Sequence, residues 1–414
     1  MGYGLLGGKL GHSFSPQIHG YLGEYEYKLY ETKEDELEAF IKTGGEAWQG
    51  LNVTIPYKKA VIPYCDELSE TAAKIGSVNT LVMRDGKLVG DNTDYYGFKC
   101  MVEKLAVSVK GKKAMVFGNG GAAPTIRAVL EDMGAGEIIT ISRKENNYEF
   151  LSKHLDTALI VNTTPVGMYP NVGEQPIMNP PIGDKIITLA DFKVCEAVYD
   201  IIFNPLKTRL ILDAEELGIP CINGLLMLVA QAKRASEIFR DVKIDDSVIA
   251  KIHDTIEAEV RNIMLIGMPG CGKSTIGKML AEKLGKTFVD ADEEIVKCAG
   301  KSIPEIFADS GEAEFRRIET EVLAAISKEK NQVVATGGGV VTKAVNKPLL
   351  RQNSVVIFID RQIEELPTDG RPISQSRPLT QIYNERIDAY RAYSDYQVLN
   401  TEIEATVDKI MEEL

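Results

Sequence analysis

Short apolar runs alternate with stretches of helical period along the whole chain. Strand-like runs fall at Lys113–Phe117, Ile138–Ser142, Ala158–Val161, Ile263–Ile266 and Val355–Ile359, with amphipathic segments between them. This alternation is the signature of an α/β fold. Asp245-Asp246-Ser247 offers caps for a helix carrying Val248, Ile249, Ile252, Ile256 and Val260 at helical spacing. That helix leads almost directly into the strand at Ile263, so a domain boundary is expected near residue 258. No Pro/Gly/Ser-rich stretch separates the halves, which predicts a short, helical connection. The chain shows no internal repeat and no low-complexity tract.

Composition narrows the class. A chain of 414 residues predicts two to three domains, and 44% hydrophobic with 26% charged residues lets each half bury a core. A net charge of -13 argues against a nucleic-acid or anionic-membrane partner, since both need a positive field. Anionic small molecules then require local Arg and Lys clusters. Cys65, Cys100, Cys195, Cys221, Cys271 and Cys298 show no Cys-x-x-Cys spacing, and four histidines leave little material for a zinc site. A reducing cytoplasm is expected, because the N-terminus lacks a basic leader region and no apolar run reaches the ~18 residues of a membrane span.

Two glycine clusters carry chemistry. Gly267-Met268-Pro269-Gly270-Cys271-Gly272-Lys273-Ser274 fits Gly-x4-Gly-Lys-Ser and follows the strand at Ile263–Ile266. In such a loop the backbone N–H groups point at phosphate oxygens, Lys273 reaches the β/γ-phosphates and the Ser274 hydroxyl can ligate Mg2+. A helix predicted from Thr275 to Leu284 adds partial positive charge, so this half binds a nucleoside triphosphate. The second cluster, Gly118-Asn119-Gly120-Gly121-Ala122, lies between a strand and a helix through Ile126, Val129 and Leu130. It departs from the dinucleotide pattern G-x-G-x-x-G at Ala123, and Pro124 is expected to interrupt the helix start. About twenty residues on, Ser142-Arg143-Lys144 stands where an NAD enzyme places an acidic residue on the ribose 2′-hydroxyl; a hydroxyl and two cations suit a 2′-phosphate instead.

The first half resembles shikimate dehydrogenase over about 230 residues, on these motifs taken in order. They are Gly4-Leu5-Leu6-Gly7 with His12-Ser13-Phe14-Ser15-Pro16, Asn52-Val53-Thr54-Ile55-Pro56-Tyr57-Lys58, Ser77-Val78-Asn79-Thr80, Gly90-Asp91-Asn92-Thr93-Asp94, Tyr199-Asp200 and the Gly224–Ala232 segment. The resemblance implies Lys58 and Asp94 as catalytic pair, Ser13 and Ser15 on the substrate carboxylate, and Thr54, Asn79, Tyr199 and Gln231 around the polyol. It implies NADP(H) at Gly118, Gly120, Gly121, Ala122, Ser142, Arg143 and Lys144, with Gly224 and Met227 as further cofactor positions. His12 and His19 are read as structural.

Residues 261 to 414 resemble shikimate kinase. The P-loop is joined there by Asp290-Ala291-Asp292, by Gly311-Glu312-Ala313-Glu314-Phe315-Arg316-Arg317-Ile318-Glu319, by Gly337-Gly338-Gly339 and by Arg386 ahead of Tyr390. The resemblance implies catalysis by Lys273 and Asp292, Mg2+ at Ser274 and Asp290, and shikimate held by Arg316, Gly338 and Arg386. ATP would contact Gly270, Gly272, Lys273, Ser274, Thr275 and a lid arginine, either Arg371, favoured by a hinge at Asp369-Gly370, or Arg377.

The implied whole is an α/β chain of four parts. A substrate domain (1–100) is followed by a Rossmann NADP domain (101–235), closing helices and junction (236–260), and a P-loop kinase domain with a parallel sheet (261–414). Its small-molecule partners would be 3-dehydroshikimate and shikimate. Alternatives are a preference for quinate or NAD in the first half, or a metabolite sensor without turnover.

Overall fold

The computed structural model describes residues 2–11, 13–143, 148–178, 186–366 and 377–414. His12, Lys144, Arg371 and the Asp369-Gly370 hinge lie outside them. The chain forms two units, Met1–Phe203 with Thr208–Ile256, and Asn204–Lys207 with Glu257–Leu414.

The first unit begins with β1 (Gly2–Gly7), β2 (Tyr27–Glu31), β3 (Trp48–Val53), β4 (Glu67–Leu68), β5 (Thr80–Arg84) and β6 (Lys87–Asp91). They form one mixed sheet ordered β2-β1-β3-β5-β6-β4, with β1 parallel to both neighbours and β5 antiparallel to both of its own. Asp85 and Gly86 join β5 to β6, both at positive φ (49° and 78°). This hairpin geometry matches the twist of paired strands, and Asp-Gly supplies it at low cost. Leu6, Trp48, Leu51 and Leu81 are fully buried on this sheet, each contributing about 1.5–3 kcal/mol by leaving water.

Next come β7 (Lys113–Phe117), β8 (Glu137–Ile141), β9 (Leu159–Asn162), β10 (Ala197–Asp200) and β11 (Cys221–Ile222), all parallel and ordered β11-β10-β9-β7-β8. Chain order reverses between β7 and β9, and open α/β sheets bind ligands at the C-terminal ends of the strands flanking such a reversal. Pro124 does not interrupt the next helix as expected. It sits in the first turn of Ala123–Asp132, where backbone N–H groups lack intrahelical partners and a missing one costs little.

The boundary expected at residue 235 falls inside one continuous helix, Leu225–Arg240. Its Phe239 lies so close on the first sheet that a Cβ on Gly50 would stand 2.5 Å from the ring. Ala235, Ile238 and Phe239 cluster there with Val82. This apolar face commits the helix to the first sheet, so the closing segment starts at Leu225. The helix Ser247–Val260 follows, its Ser247 amide donating 2.8 Å to Asp245 Oδ1, and buries Ile249, Ile252, Ile256 and Val260.

The second unit carries β12 (Asn262–Ile266), β13 (Thr287–Asp290), β14 (Gln332–Ala335), β15 (Ser354–Asp360) and β16 (Tyr396–Leu399), again all parallel, in the order β13-β14-β12-β15-β16. Central β12 reads as a continuous apolar run because both its faces are covered, and Met264, Leu265 and Ile266 are fully buried. Gly272 adopts φ 102°, which lets the next helix start at Lys273, two residues earlier than expected. The long helix Ile303–Ile326 is broken at Gly311 (φ 77°, ψ 179°), where the motif Gly311–Glu319 begins. Among the described residues, no helix is long and apolar enough to cross a membrane.

Candidate active sites

In the first unit, the loops after β1 and β3 meet. Thr54 N donates to Leu6 O at 2.9 Å and Gly8 N to Ile55 O at 3.2 Å. The chain beyond β1 leads to Ser13 and Ser15, whose hydroxyls stand 3.2 Å apart at the start of the helix Ser15–Leu22. The chain beyond β3 leads through Thr54 to Lys58. Lys58 Nζ donates to Asp94 Oδ2 at 2.6 Å, with side chains only 18% and 11% exposed, so this pair is far drier than a surface ion pair.

Two further motifs set Asp94 in place. Asn79 Oδ1 accepts from Thr80 Oγ1, from Thr93 N at 2.7 Å and from Thr93 Oγ1. Asn92 Nδ2 donates to Ser77 O at 2.8 Å, and Val78 N to Lys58 O at 2.8 Å. The 77–80 and 90–94 segments are thereby zipped together, with Asp94 as first residue of the helix Asp94–Leu105, where the helix dipole favours a carboxylate. With the Asn79 oxygen so engaged, only its amide nitrogen can serve a ligand. Gln231 joins from the neighbouring helix, its Oε1 accepting from Thr93 Oγ1 at 3.4 Å.

One expected member lies deeper than the others. Tyr199 is wholly buried in β10, its ring edge-on to Phe98 with centroids 5.8 Å apart, and its hydroxyl has no partner among the described residues. Burial pushes its pKa up to about 12. Tyr199 stands at the C-terminal end of β10 with this buried hydroxyl left unengaged. The adjacent Asp200, given no role from sequence, is fully buried and accepts from Asn162 Nδ2, Ile202 N and Thr208 Oγ1. It ties together the chain ends beyond β9 and β10, and burial raises its pKa to about 6. His19 is buried between Asn52 and Tyr25, and burial lowers its pKa to about 3, so it is neutral.

At the β7–β9 reversal, Gly118 has φ 102°, and a Cβ there would stand 2.7 Å from Thr163 Oγ1. Gly120 and Gly121 face open space, and the helix beyond Ala122 directs its N-terminus there. The close-packed and open glycines together make a backbone-lined cradle that fits a pyrophosphate. Ser142 is buried at the end of β8 and Arg143 is exposed beside it. Gly224 packs on Ile201, where a Cβ would meet the carbonyl oxygen at 2.0 Å, and Met227 is buried one turn on.

In the second unit, a cavity of about 490 Å3 is lined by the P-loop, Asp290, Asp292, Arg316, Glu319, Gly337–Gly339, Arg361 and Arg386. Lys273 Nζ donates to the carbonyls of Gly267 and Met268, both at 2.9 Å. Ser274 Oγ donates to Asp290 Oδ2 at 2.7 Å, and Asp290 Oδ1 accepts the Asp292 amide. Hard oxygens of this kind suit Mg2+ bound by few protein ligands. Asp292 is nearly buried, which raises its pKa; the Asp290 charge adds to the rise, while Lys273 and Arg316 oppose it.

Three walls converge on the glycine run. A Cβ on Gly337 would stand 2.9 Å from both Asp292 Oδ1 and Glu319 Oε1, one on Gly338 would strike Pro269, and one on Gly339 would lie 2.1 Å from Arg316. Gly338 O accepts from Arg386 NH1 at 3.0 Å and from the Tyr390 hydroxyl. Arg316 pairs with Glu319 at 2.8 Å, both wholly buried, and with Glu312. Glu319 and Arg361 are site residues that sequence reasoning left without a role. The Arg-x-x-Glu spacing, one helical turn, was the available signal for Glu319. Arg377 pairs with Glu385.

Comparison with known proteins bears on both units. Residues 5–81 match the shikimate dehydrogenase substrate-binding domain family and residues 269–414 the shikimate kinase family. The chain is 38% identical over 278 residues to a shikimate dehydrogenase (NADP(+)) of Clostridium perfringens, covering 62% of this chain and 98% of that protein. It is 34% identical over 273 residues to the Methanococcus maripaludis enzyme of the same description, covering 60% and 94%. Among solved structures, a chorismate mutase/shikimate 5-dehydrogenase fusion protein from Clostridium acetobutylicum matches with a TM-score of 0.55 at 35% identity, over 62% of this chain and 96% of that one. The Thermus thermophilus shikimate 5-dehydrogenase in complex with NADP(H) and shikimate matches with a TM-score of 0.52 at 27% identity, over 62% and 99%.

Proposed function

The chain belongs to the shikimate dehydrogenase family and carries a shikimate kinase domain in its second unit, and on that premise we propose that it catalyses two successive steps. The first unit reduces 3-dehydroshikimate to shikimate with NADPH, and the second phosphorylates shikimate with ATP and Mg2+ to shikimate 3-phosphate. The observation that carries the reading is the presence in one chain of a dry Lys58–Asp94 pair and a P-loop cavity walled by Asp292, Arg316 and Arg386. Neither arrangement serves the other's chemistry.

Bound NADPH would supply the hydride, and Mg2+ would shield the phosphate oxygens of ATP. The remaining work falls to side chains and backbone. The Lys58 ammonium, held by Asp94, hydrogen-bonds the C3 oxygen and gives it a proton as negative charge develops there. Ser13 and Ser15 take the carboxylate, and Thr54, Asn79, Tyr199 and Gln231 orient the hydroxyls, leaving buried donors unpaired when a hydroxyl is missing. Gly118, Gly120, Gly121 and Ala122 cradle the dinucleotide, Gly224 and Met227 bound it, and Ser142, Arg143 and Lys144 favour a 2′-phosphate.

In the second unit, Asp292 accepts the hydrogen bond of the reacting hydroxyl and orients it. Arg316 and Arg386 fork onto the shikimate carboxylate, a geometry that suits guanidinium. Lys273, the Gly270–Thr275 amides and a lid arginine, Arg371 in our reading, stabilise charge on the transferring phosphate, where positioning and electrostatics supply most of the catalysis. Six free cysteines fit a cytoplasmic site of action. The test is an assay of the purified chain for NADPH consumption with 3-dehydroshikimate, and for ADP formation with shikimate. Absence of either activity removes that half of the proposal.

A further inference from the structure

We propose that Lys233 is a positioning residue for the first site, holding the helix that begins at Asp94 against the helix that carries Gln231. The inference rests on the reading of Asp94 and Gln231 as groups that face the polyol. A lysine on a helix ordinarily keeps its ammonium in water, yet the Lys233 side chain is only 4% exposed. Its Nζ donates to Glu237 Oε1 at 2.8 Å and to Asp246 Oδ1 at 2.6 Å, and stands 5.5 Å from the centroid of the Tyr96 ring. Tyr96, two residues beyond Asp94, donates its phenol to the same Asp246 oxygen at 2.7 Å. Glu237 Oε1 also accepts the Ile244 amide, and its Oε2 accepts from Arg234. The cluster thus joins the Asp94 helix, the Gln231 helix and the 241–246 turn.

The two helices touch along three lines. Between them, Gly97 packs so tightly that a Cβ would stand 2.7 Å from Met227 O. On the cleft side, Thr93 meets Gln231. Tyr96 and Lys233 make the third line, with Lys233 two residues from Gln231 and so about 200° from it round the helix axis. A cavity of about 710 Å3, lined by Asn92, Thr93, Tyr96, Lys233, Glu237 and Asp246 among others, adjoins this line on its charged side. The charged cluster is what braces the pair on that side. Losing the ammonium leaves Glu237 buried beside Asp246 with reduced compensation and lets the Asp94 helix tilt on the Gly97 contact.

The test is Lys233→Met in the full chain, which keeps the stem and removes the charge. Amide exchange across residues 94–99 is expected to quicken about tenfold. KM for shikimate is expected to rise about five- to tenfold, because a small misplacement of reacting groups is costly, while KM for NADP+ and the kinase rate stay unchanged. Unchanged exchange, or a fall in kcat with both KM values unchanged, overturns the proposal, since the latter is mere loss of active protein. If the unsubstituted chain fails to oxidise shikimate, the reading of the site falls, and the exchange measurement still decides the brace. Should Lys233→Met fail to fold, Tyr96→Phe removes the phenol's bonds to Asp246 and Cys100 and leaves the Lys233 ammonium in place. It should quicken the same amides about threefold, and no change there overturns the proposal.

Discussion

The two sites differ in how their charges are held. In the first unit, Lys58 and Asp94 face each other directly, and the segments behind them are fastened by Asn79, Asn92 and Thr93. In the second unit the charged groups are engaged by several protein partners: Lys273 by two loop carbonyls, Arg316 by Glu319 and Glu312, and Asp290 by the Ser274 hydroxyl and the Asp292 amide. Proton delivery to a carbonyl asks for one fixed acid. Phosphoryl transfer asks for several groups that trade internal partners for substrate oxygens, so the second site should be more sensitive to the groups supporting its charges.

The largest expected effect breaks the comparison at its first member. Lys58→Ala should lower dehydrogenase turnover by about 10²–10⁴-fold and leave shikimate phosphorylation intact; steady-state kinetics of both reactions on one preparation checks this. At the second member, Lys273→Ala or Asp292→Asn should cost the kinase about 10²–10³-fold with NADP-linked shikimate oxidation unchanged.

Glu319→Gln sharpens the contrast. It weakens the buried partner of Arg316, and KM for shikimate in the kinase reaction should rise about tenfold, whereas an exposed pair such as Lys42–Glu38 should tolerate the same loss without kinetic effect.

The pH dependence follows from the raised pKa of Asp292. If its ionised form orients the hydroxyl, kinase activity should fall as pH drops through a value above the ordinary ~4 of an aspartate, and Arg316→Lys should leave that acid limb in place. Linkage gives Asp200 the opposite sense for stability. With a folded pKa of about 6 against an unfolded ~4, its contribution is full below the unfolded value and is lost as pH rises towards 6. Thermal melts of the unsubstituted chain and Asp200→Asn between those limits check it. The smallest effect belongs to Arg143→Ala: exposed and screened, it should narrow the NADP over NAD preference by about tenfold or less.

Much of the fold was legible because strands of four residues or more in parallel sheets leave apolar runs. β7, β8, β9, β12 and β15 lie within one residue of the positions expected from them. The short β4 and β11 left no such run. A motif also does not say how deeply its residues are buried, and Tyr199 is wholly enclosed where Lys58 and Asp94 are not. The boundary at residue 235 went astray because the Leu225–Arg240 helix owes its allegiance to Phe239 on Gly50, a contact between residues far apart in sequence. Nothing in the sequence singles out Lys233, since its carboxylate partners come partly from the turn beyond its own helix. Lys144 and Arg371 lie outside the described residues, so their roles rest on sequence alone.

The central claim is that one chain performs both steps through two separate sets of residues. The most direct measurement mixes 3-dehydroshikimate, NADPH, ATP and Mg2+ with the purified chain and follows shikimate and shikimate 3-phosphate by NMR, alongside Lys58→Ala and Lys273→Ala. The account predicts shikimate 3-phosphate from the unsubstituted chain, accumulation of shikimate with Lys273→Ala, and unreacted 3-dehydroshikimate with Lys58→Ala until shikimate is added. Shikimate left unphosphorylated by the unsubstituted chain, or either substitution abolishing both steps in a folded protein, would contradict it.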